Sequence, residues 1–202
     1  MFKRLTDLFR PMAEPQHQQA SENLGPSDVP DVAEAQPTHA ETKDALQRFM
    51  HLVTAHLHSP ESRRLSDAVA TSFDSCGDAA EAFEDGVLGE EGQKHGGWLV
   101  IQVDWKAHEE LEWQVTEVAS SFGVPERWAW TTPLKTRTVP AGLCAVASWA
   151  SALGYELVHL DLGHDAYYAL MVKREDAGLA HKAAMAAGLR VFDTTEFARL
   201  NS

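Results

Sequence analysis

Four residues that can bind metals or move protons stand close together toward the C-terminal end: His159, Asp161, His164 and Asp165. On a strand, His159 and Asp161 share one face while Val158, Leu160 and Leu162 take the other. A tight turn at Gly163-His164-Asp165 can swing the second histidine toward the first. Two histidines and a carboxylate are enough for a divalent transition metal. The spacing matches no ligand signature, however, so no metal and no cofactor is assigned. A polar, solvent-facing side of an edge hairpin accounts for the group without a ligand. Cys144, with histidines downstream, has the order of a thiol nucleophile and its base. With His159 and Asp161 it defines a catalytic alternative, a small hydrolase or transferase. Against this, Leu143, Ala145 and Val146 surround it with apolar side chains. A helix starting at Pro140 also leaves Cys144 beyond the turn where a helix terminus stabilises a thiolate. A buried core cysteine is the expectation, and no catalytic residue is assigned.

Two further groups have binding chemistry. Thr131–Thr138 places Lys135 and Arg137 just ahead of a helix start, where free amides favour an anion. The loop lacks the glycines of a phosphate cradle, so the two cations are a candidate anion site and no more. The chain has 6 tryptophans. Trp98, Trp105, Trp128 and Trp130 flank strand candidates and read as core. Trp113 falls outside the apolar stripe of its helix and stands beside Glu109, Glu112 and Glu117. An exposed tryptophan among carboxylates suits an anchor for a basic protein surface. Asp104 ends the first strand, where open α/β sheets place ligands, but capping the next helix explains it as well.

The elements that must position these groups follow from periodicity. Thr38 and Glu41 form a capping box ahead of a stripe at Leu46, Phe49, Met50, Val53 and Leu57. Ser59-Pro60 reads as the cap and first turn of a second helix, with Leu65, Ala68, Val69 and Phe73 inward. A third helical stretch over about 78–88 carries acids that continue to Glu91. Trp98–Trp105 is β-branched and mostly apolar, so a central strand is expected. Leu111, Val115, Val118, Ala119 and Phe122 define the next helix, which Gly123 stops. Arg127–Thr131 is a short strand candidate. Pro140–Leu153 is a helix, apolar nearly all round, that must pack closely on a sheet. Glu156–Leu162 and Ala166–Lys173 form a hairpin. Asp176 caps an alanine-rich helix, and Leu189–Phe192 is a last strand before a terminal turn capped by Asp193. This order predicts an α/β (α+β) domain over 38–202: a mixed four- to five-stranded sheet with packed helices, right-handed where neighbours run parallel.

Ahead of the domain, residues 1–12 space Phe2, Leu5, Leu8, Phe9 and Met12 as a short amphipathic helix, with Lys3, Arg4 and Arg10 on its flanks. Asp7 and Arg10 break any secretory apolar run. Weak docking on a membrane or partner is the most such a helix supports. Residues 13–37, rich in Pro, Gln, Ser and Glu, read as a disordered linker.

The runs Trp98-Leu-Val-Ile-Gln-Val-Asp-Trp-Lys106, Glu110-Leu-Glu-Trp113 and Tyr167-Tyr-Ala-Leu-Met-Val172 resemble an uncharacterised bacterial family, domain of unknown function 6630. The resemblance spans about residues 95–193 and implies no activity and no residue role. In size and charge the domain is also similar to small acidic immunity proteins that neutralise bacterial toxins.

Composition narrows the function classes. Lys and Arg total 17 against 30 Asp and Glu, a net charge of −13 that repels nucleic acid phosphates. Two cysteines are too few for a disulfide framework. No apolar run is long enough to span a membrane. The expectation is a cytoplasmic, non-enzymatic protein that binds a basic partner through Trp113, Glu109, Glu112 and Glu117.

Overall fold

The computed structural model describes residues 37–202. The helix expected over 1–12, and all but the last residue of the linker expected over 13–37, lie outside them. Seven α-helices and four strands follow in the order α1 (His39–Val53), α2 (Ser59–Cys76), α3 (Ala79–Phe83), β1 (Val100–Asp104), α4 (Leu111–Ser121), α5 (Val139–Ala152), β2 (Tyr155–Asp161), β3 (Ala166–Lys173), α6 (Arg174–Ala186), β4 (Arg190–Phe192) and α7 (Thr194–Leu200). A single π-helical turn, Glu84–Leu88, extends α3. The fold is α+β, and no described helix is long and apolar enough to cross a membrane.

The sheet order is β1-β3-β2-β4. Every pair is antiparallel, so the mixed sheet expected from the element order does not form. The reason is local. β2 and β3 close on each other through the short turn at Gly163, whose φ of +83° suits only glycine. β1 then pairs on the outer side of β3, while β4 returns to the free side of β2. No parallel neighbours remain for a crossover. β1 is consequently an edge strand, although its apolar run predicts a central one. The segment 127–131, a strand candidate from its sequence, joins no ladder.

Both faces of the sheet are covered, which is why β2 and β3 are nearly continuously buried. On one face Val158, Leu160, Leu170 and Val172 meet α1, α2, α3 and α6 through Phe49, Leu65, Phe83 and Ala180. On the other, Ile101, Val103, Leu157 and Met171 meet α4, α5 and α7 through Val115, Leu143 and Phe197. The predicted stripes account for the helix faces: Leu46, Phe49, Met50 and Val53 on α1, and Leu111, Val115, Val118 and Ala119 on α4, are buried. The Thr38–Glu41 capping box closes as expected. Two caps differ. His58 caps α2, its Nδ1 accepting the Glu61 N–H at 3.1 Å, so that Ser59 and Pro60 begin the helix. α6 starts at Arg174 with no side-chain cap, because β3 runs directly into it.

Candidate functional site

The period-two reading puts His159 and Asp161 on one face of β2, and they do share it, but that face is packed rather than wet. α5 and α7 lie over it, and His159 has no solvent exposure at all. Its ring stacks on Phe197 with centroids 3.9 Å apart and planes 7° from parallel. Neither ring nitrogen has a hydrogen-bond partner. Burial holds its pKa down to about 4, an effect the Asp193 carboxylate only partly offsets. Asp161 is engaged elsewhere, accepting from Gly163 N at 2.9 Å and pairing with Arg190 at 2.8 Å. His164 pairs with Glu84 at 2.8 Å. Cys144 is half-buried rather than fully enclosed, because the outer side of α5 is open. Burial still pushes its thiol up, away from the thiolate a nucleophile needs. The sequence cluster is thus dispersed into separate contacts, with no Cys–His or His–Asp hydrogen bond. Among the described residues no group of three or more His, Cys, Asp or Glu is placed to hold a metal ion.

The Trp113 surface is a different case. Trp113 and Glu117 are neighbours at i and i+4 on the outer side of α4, and Glu109 lies in the 3-10 turn, His108–Glu110, that leads into the helix. Trp113 is 46% exposed. It is nonetheless held in place, because the Trp98 ring meets it edge to face at 5.4 Å and 73°. Glu117 accepts from or pairs with His95 at 2.8 Å, and Glu109 lies 3.6 Å from His108. Glu112 faces the other way: its Oε1 accepts the backbone N–H of Trp130 at 2.9 Å and fastens the segment leading to α5. Trp128 and Trp130 are buried as core residues, but Trp105 is 53% exposed with Lys106 Nζ 4.4 Å above its ring. The apolar side chains of α3 pack with α2 in the layer on the opposite face of the sheet.

The Lys135–Arg137 loop belongs to the same end of the molecule. Arg137 lies 5.1 Å from the Trp130 ring centre and donates from Nε to Thr132 O at 2.9 Å, so it straps the loop. Lys135 is exposed, and Thr138 caps α5 by accepting the Ala141 N–H at 3.3 Å. Asp104 accepts the Lys106 N–H at 2.9 Å, which closes a turn just after β1; it does not cap the following helix, whose N-cap residue is Glu110.

One arrangement had no signal in the sequence. His56 and Ser121 are 65 positions apart, yet His56 Nε2 lies 3.1 Å from Ser121 Oγ in a cleft of about 450 Å³ shared with His58 and His95. A serine beside a histidine is the geometry of acyl transfer. Here the hydroxyl also lies 2.9 Å from Trp98 O and 2.7 Å from Val118 O. The hydroxyl thus has two backbone carbonyls as well as the imidazole within hydrogen-bond distance, and no third group orients the ring toward it as a base, so the pair is a structural contact between α4 and the turn that follows α1. His56 is stacked flat on Phe122 at 3.6 Å, and burial holds it down to about 4.

The fold and these sites define a three-layer α+β domain in which Cys144, His159, Asp161 and His164 do not converge and Trp113 of α4 is exposed. The chain belongs to the family described as a domain of unknown function, DUF6630, whose pattern matches residues 29–195. No curated protein and no solved structure matches it.

Proposed function

We propose that this is a non-enzymatic protein-binding domain that engages a basic partner through the outer face of α4, as an inhibitor of a basic protein would. The observation that carries the reading is Trp113: nearly half exposed, yet braced by Trp98, with Glu117 one turn further along α4 and Glu109 in the turn that leads into it. A braced aromatic loses little freedom on binding, which is what makes such side chains strong anchors. The surrounding carboxylates and the net charge of −13 would speed encounter with a cationic surface and make it salt-sensitive. Lys135 and Arg137 form a secondary candidate for an anionic group at the same end. The catalytic alternative through Cys144, His159 and Asp161 has less support, because both His159 nitrogens are buried without partners. A cytoplasmic setting fits the free thiols of Cys76 and Cys144.

The test is quantitative capture from source-cell extract by the full chain at low and high salt. Proteins retained by the native chain, released by salt and lost with Trp113→Ala but largely kept with Glu117→Gln support the reading. Equal capture by Trp113→Ala sinks it.

A further inference from the structure

A second surface lies on the other side of the sheet, between α1 and α6. The core-facing side of α6 is built from Ala177, Ala180, Ala183 and Ala184, so the helix sits close against α1. Outside this contact runs an open groove of about 720 Å³. Leu52, Leu179, Ala183 and Ala186 give it an apolar lining, and Leu179 is 57% exposed. The two walls have matching spacing. Positions 44, 47, 48 and 51 of α1 and positions 179, 182, 183 and 186 of α6 each follow i, i+3, i+4 and i+7, so the groove follows helical ridges for about two turns, roughly 10 Å.

The charge at this groove is opposite to that of the chain. Arg48, His51 and Lys182 line it, with Asp44 the single carboxylate. Neither Arg48 nor Lys182 forms an ion pair among the described residues. In a protein of net charge −13, an apolar groove bordered by cations that have no ion-pair partner among the described residues is complementary to an apolar ridge with acidic flanks. We infer that the α1–α6 groove is a docking site for an acidic amphipathic helix of a partner protein. Two turns of such a helix, leucine-like at i, i+3, i+4 and i+7, match the groove in length and periodicity. This surface is separate from the α4 face, and its partner has the opposite charge.

The inference is tested with a fluorescein-labelled model helix of about 18 residues, leucine at i, i+3, i+4 and i+7 and glutamate at most other positions, against its counterpart with lysine for glutamate. Anisotropy titrations with the full chain should show saturable binding of the glutamate helix, at least about tenfold tighter than that of the lysine helix at low salt. Arg48→Glu combined with Lys182→Glu should reverse that order. Leu179→Asp should weaken the glutamate helix by about tenfold or more with an unchanged melting curve, because Leu179 lies outside the core. Amide shift changes on titration should fall on α1 and α6. Absence of saturable binding up to roughly 1 mM would overturn the inference. So would equal affinity for the two helices, or shifts confined to α4. A concentration-dependent dimer in sedimentation that Leu179→Asp abolishes would assign the groove to a second copy of the chain instead. Because the α4 substitutions leave α1 and α6 untouched, failure here and failure of the α4 reading are distinguishable.

Discussion

The side-chain amide of Gln114 holds both backbone groups of Gln102: Oε1 accepts the Gln102 N–H at 2.7 Å, and Nε2 donates to its carbonyl at 2.6 Å. Gln93 does the same for Val100 one step back, accepting its N–H at 2.7 Å and donating to its carbonyl at 3.1 Å. Two glutamine amides thus occupy the outer edge of β1, where a further strand would otherwise pair. This is how an apolar strand that reads as central survives at the edge of the sheet.

Gln114→Leu leaves the Gln102 N–H and carbonyl without those partners. The expected loss is about 1–3 kcal/mol for each group left unsatisfied, read from the midpoint of urea unfolding. The exposed edge should also raise self-association, visible as a concentration-dependent light-scattering signal. An unchanged midpoint would mean that water replaces the amide at no cost.

Acid should destabilise the fold through its buried histidines. His159 and His56 are both held down to about 4 by burial, whereas an unfolded histidine protonates near 6.5. The unfolded chain therefore binds more protons between these values. The stability tied to each neutral ring is fully present above about pH 6.5 and is lost as pH falls toward 4, on the order of 3 kcal/mol over the whole span. His159→Phe preserves an aromatic ring beside Phe197 and removes one titration. Its loss of stability between about pH 7 and pH 5 should be smaller than that of the native chain by about 2 kcal/mol. Equal losses would show that His159 does not titrate across folding.

The carboxylates of α4 should separate into two kinds. Glu112→Ala removes the acceptor of the Trp130 N–H and is expected to cost about 1–3 kcal/mol in thermal or urea unfolding, with a change in tryptophan emission. Glu117→Ala breaks only the contact with the highly exposed His95, and should cost below about 1 kcal/mol. If the two lose equal stability, Glu112 is not a structural fastening.

Gly142 lets α5 approach α4 and the Trp130 segment, for a Cβ there would overlap the Trp130 ring and a Leu111 methyl. Gly142→Ala gains helix propensity of about 1 kcal/mol but overpacks this junction at a cost of typically 1–3 kcal/mol. A net fall in melting temperature is expected, together with altered Trp130 packing in the near-ultraviolet circular dichroism. A rise would mean that the ring moves aside freely.

Local rules determined much of this protein directly from its sequence. The Thr38–Glu41 box, the stripes of α1 and α4, the Gly163 turn and the Asp193 cap rest on contacts within a few residues, so spacing was enough to place them. Spacing also set Trp113 off the apolar stripe of α4, and the structure leaves that side chain nearly half exposed. It could not say what lies opposite a strand face. His159 and Asp161 alternate as expected, but whether their side meets water or α5 and α7 depends on how distant helices distribute over the sheet. β1 is an edge rather than a centre because β3 takes the position beside β2 through a four-residue turn, a pairing that a short loop favours over the long connection through α4 and α5. The His56–Ser121 contact, the Gln114 clasp on Gln102 and the α1–α6 groove likewise join residues that are far apart in sequence or depend on where a strand edge falls. Periodicity reports the faces of single elements, and only the packing of those faces decides which polar groups meet, which are buried, and which remain open to a partner.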